Sequence, residues 1–287
     1  MNDTTESDLT KAVLAQFSGA QDPRLREILL SLTSHLHAFA RETSLTFDEW
    51  MKGIEFLTRV GHMCTENRQE FILLSDVMGL SMLVDAIGHR GDQKVSESTV
   101  LGPFFVESAP EIPLDVDIGA GHPGTPLHIS VTVADSNGQP LPQAEVIVWH
   151  TDEDGLYDIQ HSGDRGLFLR GRFRTDQNGE LRFWTIVPPP YPIPDDGPVG
   201  DLLRHSGRHP WRPAHVHFMI SAPHHRTLVT HLFVAGGDYL DSDAVFGVKQ
   251  SLIVDLAEHS PGRAPDGRNC PAGWQSLDYH FRLARST

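Results

Sequence analysis

Near residue 115 the hydrophobic period of this chain changes from three-and-four to two, and nothing else in the sequence constrains the fold as strongly. Before the change, Leu25, Ile28, Leu29, Leu32, Leu36 and Phe39 recur at helical steps. They follow Asp22-Pro23, a capping carboxylate with proline at the first helical position. Thr46-Phe47-Asp48-Glu49 is a capping box, and Ile54, Leu57 and Val60 form the stripe of a second helix. Residues 1–20 read as a polar arm leading into at most a short helix. Residues 68–89 read as helical again, with breaks expected near Ser75-Asp76 and Met78-Gly79-Leu80. After the change, residues 127–133 alternate apolar and polar, Asn137-Gly138 is a turn, and residues 144–149 form another strand. Residues 166–175 and 181–187 read as a hairpin about Asp176-Gln177-Asn178-Gly179, with further strands at 215–220, 228–235, 251–256 and 277–283. The expectation is a mixed, mainly β chain: a helical unit followed by a sandwich or barrel of short strands.

Two irregular segments interrupt this pattern. Residues 96–106 are apolar yet broken by Gly102-Pro103, so they suit neither a regular helix nor a central strand. Such a segment must be covered or must line a pocket. Pro188-Pro189-Pro190, with Pro192 and Pro194, makes a stiff loop between apolar strands.

Composition excludes some classes of function. With 23 basic and 38 acidic side chains the formal charge is −15, which argues against nucleic acid or an anionic membrane as a partner. No apolar run reaches the roughly 18 residues of a membrane span. The acidic start lacks signal-peptide character, and Cys64 and Cys270 lack ligand spacing, so a cytoplasmic protein with reduced thiols is expected. Of 17 histidines most are expected at the surface, among them His35, His37, His205, His209, His224 and His225.

Trp211-Arg212-Pro213-Ala214-His215-Val216-His217-Phe218 is different. On a strand, His215 and His217 share one face while Ala214, Val216 and Phe218 take the other. Two converging imidazoles suit a first-row metal. A carboxylate would complete an iron site, and a third histidine would complete a zinc site. The chain also holds only four tyrosines, two of them in constrained places. Tyr157 follows Asp154-Gly155-Leu156, and Tyr191 lies between Pro190 and Pro192. Two phenolates and a hydroxide balance the three charges of ferric iron, and two neutral imidazoles complete five positions. That balance favours Fe(III) over Zn(II).

Gly155-Leu156-Tyr157-Asp158, Pro188-Pro189-Pro190-Tyr191-Pro192-Ile193-Pro194 and the stretch from Trp211 to Phe218 together resemble the intradiol ring-cleaving dioxygenases. The likeness extends over most of the chain, including Gly102-Pro103-Phe104-Phe105 and residues 237–248. It implies one Fe(III) per subunit, held by Tyr157, Tyr191, His215 and His217. It implies an N-terminal helical dimerisation and linker region, 1–115, and an antiparallel β-sandwich catalytic domain, 116–287. A homodimer whose interface can hold a phospholipid belongs to the same expectation.

The resemblance also makes Arg212 the active-site arginine and Tyr191 a proton acceptor for the substrate. Leu73, Asp76, Val100, Leu101, Gly102, Pro103, Phe104, Ile193, Pro194 and Val245 match positions that surround the substrate. His231 stands where catechol-cleaving relatives usually have glutamine and points to the hydroxyquinol-cleaving branch. The implied reaction joins O2 to an aromatic diol or triol in aromatic catabolism, with hydroxyquinol favoured and catechol or a chlorocatechol as the alternative. A zinc hydrolase and a non-enzymatic aromatic-ligand carrier are the readings from other classes.

Overall fold

The computed structural model describes residues 5–65, 68–91, 94–161, 166–264 and 266–286. The first four residues of the polar arm lie outside that range. Two compact units divide the chain, Met1–Arg59 and Val60–Thr287.

In the first unit α1 (Glu6–Phe17) packs on α2 (Pro23–Glu42). The Asp22 carboxylate accepts from the amides of Arg24 and Leu25, as the sequence predicts for an N-cap. Thr46 and Glu49 close the expected capping box ahead of α3 (Phe47–Met63). Leu32, Leu36 and Phe39 on α2 stay more than half exposed, although their spacing marks them as a packing stripe.

The second unit continues with α4 (Glu70–Val77) and α5 (Leu80–Gly88). The helix runs unbroken through Ser75-Asp76. The single interruption is at Met78-Gly79, where Gly79 takes a left-handed φ of 73° that a side chain would resist. The strands follow: β1 (Pro126–Asp135), β2 (Glu145–Trp149), β3 (Arg170–Arg174), β4 (Glu180–Ile186) and the short β5 (Tyr191–Pro192). A helix the sequence pattern does not announce, α6 (Pro198–His205), precedes β6 (Trp211–Arg212), β7 (His215–Ser221) and β8 (Leu228–Val234). The chain ends with β9 (Ile253–Val254), β10 (Ala257–His259), β11 (Gly262–Arg263), β12 (Asn269–Cys270) and β13 (Trp274–Leu283).

The larger strands form two sheets, β10-β13-β1-β4 and β3-β2-β7-β8-β9. Most neighbours are antiparallel; β1 with β13 and β8 with β9 are parallel. The 166–187 segment is not a hairpin, because β3 pairs with β2 and β4 with β1. Its turn instead carries the chain from one sheet to the other. Gly179 at the corner has no room for a side chain, since a Cβ would stand 2.5 Å from the Val133 carbonyl oxygen. Likewise, residues 250–254 make a 3-10 turn and only a two-residue strand.

The core lies between the sheets. Leu127, Ile129, Val131 and Val133 of β1 with Phe183 and Phe281 face Val146, Val148, Val216, Phe218 and Ile220. By strand alternation Trp149, His215, His217 and His231 then point out of the opposite face of the five-stranded sheet. They are nonetheless buried, so the irregular segments must cover that face.

Candidate metal centre

Strand pairing assembles the centre. On β7 the rings of His215 and His217 stand side by side, with their Nε2 atoms 3.1 Å apart. His231 of β8 lies directly across from His217. Trp149, at the end of β2, stacks on His217 at 4.6 Å. The β5–β6 ladder pairs Tyr191 with Arg212, so the proline-rich loop delivers its phenol beside the arginine. Tyr157 enters from the turn after β2, where the Asp152 carboxylate accepts from the Asp154 and Leu156 amides. Its hydroxyl is 2.9 Å from His217 Nε2 and 3.3 Å from the Tyr191 hydroxyl.

All four side chains are buried. Nδ1 of His215 donates to the Pro213 carbonyl at 2.7 Å, which leaves the Nε2 lone pair for the centre. Burial, followed by the nearby Arg212 charge, keeps His215 well below the ordinary histidine range. Burial, then His231 and His215, does the same to His217. Both imidazoles are therefore neutral at neutral pH, the form that binds metal. Burial and then Tyr191 push the Tyr157 phenol well up, so only a cation at this point would ionise it.

Two neutral imidazoles and two phenols suit a trivalent ion. Donors bound at about 2.0–2.1 Å stand roughly 2.9–3.4 Å from each other at right or tetrahedral angles. The spacings among Tyr157, Tyr191, His215 and His217 match that range. His231 widens the cluster, for the donor atoms of His215, His217 and His231 all lie within 4.8 Å of one another. However, His231 Nδ1 faces Arg212 Nη2 at 3.3 Å, and its Nε2 is buried without a partner.

Arg212 is fixed on three sides. Its Nε and Nη2 donate to Asp243 at 3.0 and 3.2 Å, and Nη1 reaches His215 Nε2 at 3.3 Å and Tyr191 Oη at 3.5 Å. Burial alone would lower its pKa, but Asp243 and Tyr191 hold it above the ordinary range. The sequence reading includes Asp243 in the 237–248 resemblance but does not pair it with Arg212. A buried guanidinium demands a carboxylate partner, yet 31 residues separate the two and several acids compete in the sequence.

The substrate-lining positions divide by what the structure places beside the centre. Phe104 stacks on Tyr157 at 4.5 Å, and Gly102, with φ 76°, would put a Cβ 3.4 Å from the His217 ring. Val100 is buried, and the Val245 amide donates to Asp243. Asp76 is buried with Oδ1 unpartnered. Burial raises its pKa against the opposing pull of Ser81 and Arg212. Leu73 and Ile193 are buried, Pro103 and Pro194 partly so, and Leu101 is 40% exposed. His150, read only as a strand end, is fully buried with Nε2 2.5 Å from the Thr185 hydroxyl. Cys64 and Cys270 are free thiols, and among the described residues no single helix is long and apolar enough to cross a membrane.

Fold and site together define a β-sandwich protein with a buried cluster of histidine and tyrosine side chains, in which His215, His217 and His231 lie close enough to hold a metal ion. Comparison with known proteins gives the family. A model described as "Dioxygenase" matches residues 100–284, and one described as "Catechol dioxygenase N terminus" matches residues 22–96. The hydroxyquinol 1,2-dioxygenase of Rhodococcus opacus is 50% identical over 282 residues, 97% of this chain and 94% of the relative. The 6-chlorohydroxyquinol 1,2-dioxygenase of Cupriavidus pinatubonensis is 49% identical, over 91% of this chain and 95% of that protein. The crystal structure of hydroxyquinol 1,2-dioxygenase from Pseudomonas putida DLL-E4 aligns with a TM-score of 0.90 at 44% identity, covering 98% of this chain and 99% of that one. This chain belongs to the intradiol ring-cleavage dioxygenases, a family of enzymes.

Proposed function

We propose that the protein cleaves hydroxyquinol (benzene-1,2,4-triol) with O2 between its two adjacent hydroxylated carbons. The product is 3-hydroxy-cis,cis-muconate, a tautomer of maleylacetate, and both oxygen atoms of O2 enter it. The observation that carries this reading is the convergence of Tyr157, Tyr191, His215 and His217 on one buried point beside Arg212. The similarity to hydroxyquinol-cleaving relatives over nearly the whole chain supports the choice of triol.

In this reading Tyr157, Tyr191, His215 and His217 hold one Fe(III), which supplies Lewis acidity and draws electron density from a bound diol. Tyr191 has the second role of proton acceptor, taking the proton of a substrate hydroxyl at its Oη. Arg212, braced by Asp243, presents Nη1 to the same spot and stabilises negative charge that develops on the ring. Leu73, Val100, Leu101, Gly102, Pro103, Phe104, Ile193, Pro194 and Val245 shape the cavity. Asp76 and His231 are the polar groups that hydrogen-bond the third hydroxyl. Each brings a buried polar atom without a partner.

The exposed apolar faces of α2 and α3 support a homodimer built through the helical region 1–115, with room for a phospholipid between the subunits, while residues 116–287 form the catalytic domain. Free thiols at Cys64 and Cys270 suit a cytoplasmic setting.

The proximity of His215, His217 and His231 favours a second reading, a three-histidine zinc site. Against it stand the two buried phenols at the same point. Metal analysis with a visible spectrum separates the two. Ferric tyrosinate gives a reddish protein with one iron per chain, whereas a colourless zinc protein would defeat the dioxygenase reading.

A further inference from the structure

We propose that Arg170 is the positioning residue of Tyr157, coupling the seat of that phenol to the loop that covers it. Arg170 lies on β3, and its side chain is 1% exposed. Its Nε donates to Asp158 Oδ2 at 2.5 Å and its Nη2 to Asp158 Oδ1, while Nη1 and Nη2 both donate to the Phe104 carbonyl at 3.2 Å. Asp158 directly follows Tyr157, and Phe104 is the residue whose ring stacks on the Tyr157 ring. One guanidinium therefore ties the side chain of the residue after Tyr157 to the backbone of the residue whose ring stacks on the phenol. Asp158 passes the constraint on, because its carboxylate also accepts from the Ile159 and Phe168 amides.

Arg170 touches neither the Tyr157 hydroxyl nor any histidine of the centre by a hydrogen bond, so its action is indirect. A lysine would keep the charge but present a single point where the planar fork makes bonds in two directions. Groups that orient a metal ligand typically contribute tenfold to a hundredfold to metal affinity or activity. The same anchor holds the Phe104 carbonyl, at the end of the Gly102-Pro103-Phe104 segment, so loss of the fork loosens that wall of the substrate site as well. The inference rests on Tyr157 being a metal ligand.

The test uses full-length protein loaded with Fe(III), in the wild type, Arg170→Lys, Asp158→Asn and Tyr157→Phe. Iron affinity is read by competition with a chelator, the tyrosinate band by visible absorption, and KM and kcat for hydroxyquinol by O2 uptake. A weaker, shifted band in Tyr157→Phe, where Tyr191 is the remaining phenolate, with at least a tenfold drop in iron affinity, a shifted band and a raised KM in Arg170→Lys, is the expected result. Asp158→Asn keeps the carboxylate's shape and reports the same loss should Arg170→Lys not fold. Band, affinity and KM within twofold of wild type in the Arg170→Lys and Asp158→Asn variants, with the Tyr157→Phe band still weakened and shifted, would overturn the positioning role alone. An unchanged band in Tyr157→Phe would overturn the ligand assignment and the inference with it.

Discussion

The hydroxyl of Tyr157 stands 2.9 Å from Nε2 of His217, although 60 residues of chain separate them. Burial pushes the Tyr157 phenol up and holds His217 well below the histidine range, so both groups stay neutral. A trivalent cation at this point would find the imidazole already deprotonated and would itself have to ionise the phenol.

Tyr157→Phe and Tyr191→Phe should each bleach or strongly shift the visible band. Iron affinity should fall by about tenfold or more, the scale of losing one oriented ligand contact. A spectrum indistinguishable from wild type in both variants would remove the phenols from the centre.

Arg212→Gln should lower kcat by about a hundredfold to a thousandfold while iron content stays at one per chain. Asp243→Asn leaves the guanidinium charged but free to turn, and a smaller fall of about tenfold is expected. If kcat for Arg212→Gln stayed within threefold of wild type, charge stabilisation by this residue would be wrong.

Asp76 is a selectivity element in the proposed reaction. Its buried Oδ1 has no partner, and burial favours the neutral carboxyl. Asp76→Leu should lower the kcat/KM ratio of hydroxyquinol to catechol by about tenfold, the value of one lost hydrogen bond. His231→Gln should move the ratio in the same direction. An unchanged ratio in both variants would take the third hydroxyl away from these groups.

His150 makes stability pH-dependent apart from any metal. Burial lowers its pKa from 6.5 to about 4, opposed by its bond to the Thr151 carbonyl. Between those values the unfolded chain takes up a proton that the folded chain refuses. The stabilisation is therefore complete above pH 6.5 and falls by about 3 kcal/mol on the way to pH 4. Melting temperatures of iron-free wild type and His150→Gln, followed from pH 7 to pH 4, should converge as the pH drops. Parallel curves would contradict this account.

Much of this was readable from local signals. Helix caps at Asp22 and Thr46, the alternation that puts His215 and His217 on one face, and the proline-framed Tyr191 all depend on neighbours in sequence. The failures share a physical cause, which is that they depend on contacts distant along the chain. The Asp176–Gly179 turn looks like a hairpin turn because turn chemistry does not say which strand each arm will join. The pairing of Arg212 with Asp243 spans 31 residues, and Arg170 reaches Asp158 across 12 residues and the Phe104 carbonyl across 66, separations that local patterns do not report. The α6 helix carries Pro198 and Gly200, poor helix formers, and its Val199 amide is held by buried Glu70 across 129 residues. The stripe of α2 is the opposite case, a local helical pattern whose apolar face stays exposed.

The most direct test of the central claim is O2 uptake by the purified ferric protein with hydroxyquinol, catechol and a chlorocatechol, compared as kcat/KM. The account predicts one O2 consumed per triol, accumulation of 3-hydroxy-cis,cis-muconate or maleylacetate, and the highest kcat/KM for hydroxyquinol. Activity retained in a colourless, iron-free preparation, or no uptake with any of the three, would contradict it.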